Sequence, residues 1–224
     1  MNVYFHRPMR IWLVSMLVVA VLTTLSGCAR PQWFKGNTHT HTWWSDGNTP
    51  PEIVAKWYKD HGYDFLVLSD HNILSRGETW APCTGRKVAM ADAYEQAFDS
   101  TWIEKREGED AVEYRLKTLD EVRSLYEVPG KFLLIEGEEI TDACNKIPVH
   151  LNALNLAELI PPPHGETVLA TMQNNFDAVA AQAAHHGRPM LCHLNHPNFV
   201  RQIVAEDIAR LRDARFFEVY NGHP

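Results

Sequence analysis

From Phe34 onward the apolar residues fall into blocks of two kinds. Short, nearly continuous apolar runs, as in DFLVLSD, KFLLIEG, IPVHLNAL, RPMLCHL and RFFEVYNG, predict strands buried on both faces. Longer stretches with helical spacing alternate with them. TPPEIVAKWYKDHG reads as a surface helix with a Thr cap, prolines in its first turn, Ile53, Val54, Trp57 and Tyr58 on one face, and Gly62 closing it. TLDEVRSLYEVPG reads as a helix ended by Pro129 and Gly130, TVLATMQNNFDAVAAQAAHHG as a long amphipathic helix stopped by Gly187, and AEDIARLRD as a short one. The charged stretch from Arg86 to Glu107 also looks helical and is expected to be an insertion covering the mouth of the fold. A first strand is expected over FKGNTHTHT. Repeated strand and helix units of this size predict one α/β domain, a parallel barrel with chemistry at the strand ends.

The block before Phe34 differs. A short basic stretch with His6, Arg7 and Arg10 precedes the apolar run IWLVSMLVVAVLTTL, which reads as a targeting segment. It ends in Leu25-Ser26-Gly27-Cys28, which resembles the lipobox of bacterial lipoproteins. That resemblance implies a signal peptide over residues 1–27, a lipid on Cys28, a short tether over 28–33 and a domain over 34–224. It places the protein outside the cytoplasm on a membrane, with Ala29 fitting the outer membrane. An uncleaved transmembrane anchor is the alternative, although the run is short for a span.

Charge and cysteine content narrow the function. The 224-residue chain has a net charge of -7, which becomes -9 without the two arginines of its first 27 residues. A surface this acidic is not expected to bind nucleic acid generally, since that requires basic patches. With Cys28 lipidated, Cys83 and Cys144 sit in loop-like stretches and are candidates for a disulfide, whereas Cys192 in MLCHL is expected to be a buried free thiol.

Histidines and carboxylates recur where the apolar runs end. His39 and His41 lie two apart on the first strand, so both imidazoles face one side and can grip one ion. Asp46 follows in a Ser-Asp-Gly turn that returns toward them. The next strand ends in Asp70-His71, and the third in Glu136-Gly137-Glu138-Glu139, where crowded like charges call for a cation. His150 interrupts the apolar IPVHLNAL, and His193 and His196 follow MLC. His61, His185 and His186 are better explained as cations at helix C-termini. Such a mixture of imidazole and carboxylate suits two or three divalent ions of zinc, manganese or iron.

The order HxH, Asp, strand-Asp-His, GxE, His and His-Pro resembles the polymerase and histidinol phosphatase (PHP) superfamily from about Phe34 to the C-terminus. The resemblance implies an α/β fold of the PHP type, a distorted (β/α)7 barrel, and hydrolysis of phosphoesters by a metal-held hydroxide. It assigns His39, His41 and Glu139 to one ion, Glu139, His150 and His196 to a second with Glu139 bridging, and Asp46 and His71 to a third. Glu139 fills the last place of the GxE pattern, with Glu138 as the alternative. Asp70 and His193 are the candidate catalytic or orienting groups, with Asn195 and His223 beside them as substrate or outer groups. The family's closing Asp-x-His is not found before Pro224, so the barrel is expected to be truncated at its C-terminus.

A small phosphorylated substrate is expected, with Arg76, Arg86 and Lys87 as loop cations able to meet it or simply to stay solvated. Two rivals stand. Amidohydrolases also open with HxH but use a strand lysine between their metals, and a non-catalytic metal-binding lipoprotein would need no turnover.

Overall fold

The computed structural model describes residues 32–199 and 203–221. The predicted leader, Cys28 and His223 lie outside the described residues, among which no helix is long and apolar enough to cross a membrane. The chain divides into two units, and the second, from Phe34, holds the elements below.

In chain order these are β1 (Gly36–Asn37), α1 (Pro51–Asp60), β2 (Phe65–Leu68), β3 (Trp80–Pro82), α2 (Val88–Ala97), β4 (Lys105–Glu107), β5 (Val112–Arg115), α3 (Leu119–Tyr126), β6 (Leu133–Cys144), β7 (Ile147–Leu154), α4 (Val168–His186), β8 (Leu191–Leu194) and α5 (Ala205–Arg210). The main sheet has the order β1-β2-β6-β7-β8 and curls into a half-barrel. Strands β1, β2 and β6 run parallel, with Phe65 opposite Leu133 and Leu68 opposite Glu136. The expected parallel arrangement stops there. Strand β6 turns through Asn145 and Lys146, both at positive φ, into antiparallel β7, which pairs antiparallel with β8. The sheet is therefore mixed. The described part of RFFEVYNG, residues 215–221, is not a strand but runs beside β8 through one parallel bridge, Leu194 to Phe217.

Side-chain alternation separates an apolar outer face from a polar inner one. On β7, Val149 and Leu151 pack with Leu194 against Met172 and Phe176 of α4. Burying each such side chain contributes about 1.5–3 kcal/mol. Likewise α1 and α3 cover β2 and β6 through Ala55, Leu119 and Val122 on Leu66, Leu68 and Leu134. The intervening positions His150 and Asn152 face inward. Capping sets the helix bounds: Thr118 and Glu121 form a reciprocal box at α3, Thr167 caps α4, and Gly187 stops α4 in the left-handed conformation.

Three expectations need correction. Helix α1 starts after Pro50 without a side-chain cap, and it buries Glu52 and Ala55 while Trp57 is 50% exposed and stacks on His61. The stretch 86–107 is helical only in a 3-10 turn over Gly85–Lys87 and in α2, and it ends in β4, which joins β5 and β3 in a small antiparallel sheet. Its strands are short and β4 is fully exposed, so no apolar alternation announces them. Trp43, Tyr94 and Tyr114 form the core beneath them, where Glu52 accepts hydrogen bonds from Tyr94 and Trp102. Finally, Cys83 and Cys144 are both free thiols: Cys83 packs against the Trp43 cluster and Cys144 is buried at the end of β6. Cys192 is also free, but only half-buried, at the outer face of β8.

Candidate metal centre

Strand β1 is only two residues long, so His39 and His41 lie beyond it rather than within it. Side chains do the work of the missing ladder. The His39 N–H donates to Asn37 Oδ1 at 3.0 Å, the Thr40 N–H to Ser69 Oγ at 2.9 Å, and the Thr42 N–H to Asp70 Oδ1 at 2.7 Å. Asp70 is buried and also accepts from Thr42 Oγ1 and Ser45 Oγ, at 2.8 and 2.6 Å. Burial pushes its carboxyl upward, opposed by these hydrogen bonds. Asp70 thus fastens the histidine segment and the following turn, and its side chain does not line the cavity.

That turn returns Asp46 to the histidines. A Cβ on Gly47 would stand 2.5 Å from the Thr42 nitrogen and 2.7 Å from the His41 carbonyl oxygen, so only glycine lets the turn lie this close. Asp46 Oδ1 reaches 2.9 Å from His41 Nδ1 and 3.6 Å from His71 Nε2. Burial raises the Asp46 carboxyl, but the two histidines hold it below its ordinary range.

Glu139 stands at the centre, inside β6 rather than at its end. The chain leaving β2 follows β6 this far: the Glu139 N–H donates to the Asp70 carbonyl and the Asn72 N–H to the Glu139 carbonyl, which sets His71 beside it. The buried carboxylate sorts its neighbours between its two oxygens. Oε2 lies 2.8 Å from His41 Nε2, 3.0 Å from His71 Nδ1 and 3.4 Å from His39 Nε2. Oε1 lies 3.2 Å from both His150 Nδ1 and His196 Nε2 and accepts from Asn195 Nδ2 at 2.7 Å. Burial alone would raise the carboxyl; the surrounding histidines pull it far below the carboxylate range. Glu138 points the other way, where its Oε1 accepts the Ile160 N–H at 3.1 Å and burial pushes the carboxyl up to about 8.

His39, His41, Asp46, His71, Glu139, His150 and His196 thus line one cavity of about 360 Å³, together with Phe199 and Asn221. His193 does not reach it. Opposite Asn152 on β8, it faces the interior one layer deeper, where burial lowers its basicity. Of the loop cations, Arg86 donates to the Asp46 carbonyl at 3.4 Å, half-buried Lys87 to the Trp43 carbonyl, and Arg76 pairs with Glu136 and leaves the site.

Glu218 was not anticipated from the sequence. Its Oε1 lies 3.1 Å from His39 Nδ1, and its Oε2 accepts the His196 N–H at 2.8 Å and Asn221 Nδ2 at 3.0 Å. The segment reaches this place because the Glu218 N–H donates to the Leu194 carbonyl. Burial favours the neutral acid, but His39, Asn221 and the His196 N–H hold Glu218 down at about 2. Burial likewise lowers His39, while Glu139 and Glu218 outweigh it and raise the imidazole to about 9. The signal was present in FFEVYNG, an acid inside an otherwise apolar and aromatic run.

The donor set fits divalent metal. Three trios, His39-His41-Glu139, His41-Asp46-His71 and His71-Glu139-His150, each hold donor atoms within 4.8 Å of one another. Bonds of about 2.1 Å to a shared ion impose donor separations of about 3–4 Å. Glu139 Oε2 and His41 Nε2 are buried and, although 2.8 Å apart, neither makes a hydrogen bond of proper geometry. Both are therefore buried polar atoms left for a cation to satisfy. The trios differ from the expected sets in three respects: His41 joins Asp46 and His71, His71 joins Glu139 and His150, and His196 meets Glu139 outside any trio.

No family model matches the chain, and no curated protein matches it. Among solved structures it is similar to a two-domain protein from Bacteroides vulgatus containing a predicted PHP-like metal-dependent phosphoesterase, at 21% identity and a TM-score of 0.43, covering 79% of this chain and 40% of that one. It is also similar to a protein from Bifidobacterium adolescentis proposed to be a metal-dependent phosphoesterase, at 14% identity and a TM-score of 0.38, covering 85% and 79% respectively. The chain thus spans less than half the length of the Bacteroides protein.

Proposed function

We propose that this protein is a metal-dependent phosphoesterase that hydrolyses a small phosphorylated substrate in the cavity around Glu139. The observation that carries the reading is the division of histidines between the two Glu139 oxygens, His39, His41 and His71 on one and His150 and His196 on the other. A carboxylate set this way is placed to bridge two cations. In the motif order that resembles the PHP superfamily, the same residue is the bridging ligand.

His39, His41 and Glu139 would hold one ion, Glu139 with His150 and His196 a second, and Asp46 with His71, joined by His41, a third. Bound divalent ions of zinc, manganese or iron supply Lewis acidity toward water and phosphoryl oxygen. The chain's own residues do the positioning. Glu218 orients His39 from behind while holding the His196 backbone, and Asn195 fixes one oxygen of Glu139. Asp70 keeps the His41 segment and Ser45 in register. Arg86, tethered to the Asp46 carbonyl, brings a guanidinium to the rim, where it can meet a phosphate oxygen.

The test is metal content and phosphatase activity of the purified protein beside His39→Ala and Glu139→Ala. Bound metal and phosphate release that fall at least tenfold in both variants support the reading; activity indifferent to both changes overturns it. Arg86→Ala should raise KM for a phosphomonoester several-fold while leaving bound metal unchanged.

A further inference from the structure

We propose that the end of the α/β unit opposite the metal cavity is a docking face for a lipid bilayer, so that the cavity opens into the aqueous phase. This goes beyond the hydrolase reading and does not depend on it. At the N-terminal ends of β2 and β6 lies a groove of about 560 Å³ lined by Phe34, Phe65, Val128, Pro129, Phe132 and Leu133. Phe34 is 61% exposed and Leu133 50% exposed. Trp57 is exposed near the C-terminus of α1, a terminus that in a strand-helix-strand unit lies at the same end as the strand starts.

The groove has a basic and aromatic margin in an otherwise acidic protein. Lys35 lies over the Tyr63 ring at 4.0 Å and Lys59 over Tyr126 at 5.7 Å, while Lys131 is exposed on the groove wall. The acids of this groove are engaged with the backbone: Asp64 accepts the Lys35 N–H and Glu127 the Leu134 N–H. Aromatic bodies, apolar side chains and lysines with long apolar stems on one face suit the boundary of an anionic bilayer.

Chain connectivity selects the bilayer over a protein partner. Phe34 enters the unit at this groove and lies six residues after Cys28, the expected lipid-bearing residue. Six extended residues reach at most about 20 Å, so an anchor there keeps this end within that distance of the membrane. His39 and His71 follow the opposite ends of β1 and β2, and a strand the length of β2 separates the two faces by about 13 Å. Whatever the cavity binds is then drawn from solution rather than from the bilayer.

The experiment uses the full chain carried through its natural processing and reconstituted in phosphatidylethanolamine–phosphatidylglycerol vesicles, with a membrane-impermeant amine reagent read residue by residue. Intact mass at Cys28 reports the anchor separately from the face. Labelling of Lys35, Lys59 and Lys131 should fall several-fold on vesicles relative to detergent, with Lys146 in the β6–β7 turn unchanged, and Leu133→Glu should restore it. Equal labelling in both states overturns the proposal, as does protection extending to Lys146. Protection that appears without vesicles and grows with protein concentration points instead to a second copy and also overturns it.

Discussion

At the scale of single residues, the centre is a carboxylate whose charge is matched from several sides, and its partners differ in how replaceable they are. Glu218 is the informative one, because it touches both His39 and the His196 backbone without joining any of the candidate metal trios. Glu218→Gln keeps the shape but removes one of the two charges, beside that of Glu139, that raise the His39 imidazole, and it weakens the acceptor offered to the His196 N–H. Partners that orient a ligand typically matter by about 10–100-fold in metal affinity. Zinc or manganese titration of Glu218→Gln should therefore show weakening in that range with the fold intact by circular dichroism; unchanged affinity would remove Glu218 from the site.

At the scale of elements, helix α3 offers a test free of the metal chemistry. Thr118 and Glu121 satisfy each other's backbone N–H groups, and Arg115 pairs with Glu121. Thr118→Ala should cost about 1 kcal/mol in urea unfolding. Burial opposes ionisation of Glu121, but Arg115 and the Thr118 donors lower it from 4.5 to about 2. Its contribution is thus fully present above pH 4.5 and lost as pH falls through 2. The stability gap between wild type and Glu121→Gln should close across that window; a gap independent of pH would mean that the carboxylate charge contributes nothing. The helix over TLDEVRSLYEVPG was legible in the sequence, as were the apolar runs of β2 and β7 and the amphipathic pattern of α4. Strand direction was not. Asn145-Lys146 is a two-residue hairpin turn, but the uniform apolar runs on either side read equally well as strands joined by a crossover. The seven expected ligand positions stood out because histidines and acids are conspicuous beside apolar strands. Glu218 did not, because its neighbours Phe217 and Val219 look like strand core although both are exposed.

At the scale of the whole molecule, the question is whether metal builds the fold or only loads it. The apolar clusters that join α1, α3 and α4 to the sheet lie on its outer face, away from the cavity. The emptied cluster also has an internal remedy, since Glu139 and Glu218 keep the His39 imidazole protonated up to about 9. Chelation should therefore lower the Tm without unfolding the protein. An ion present at 100 times its Kd stabilises by about 2.7 kcal/mol. For a domain of this size each kcal/mol shifts Tm by about 2–4 °C, so a loss of about 5–10 °C is expected. The pH dependence follows from His39: its proton stabilises the metal-free state fully below pH 6.5, and that stabilisation is lost as pH rises through 9. The Tm gap between loaded and chelated protein should accordingly widen from pH 6.5 to pH 9 in calorimetry. A gap that narrows over this range would show that the metal-free centre does not hold that proton, and unfolding on chelation at pH 7 would show that the ions build the fold.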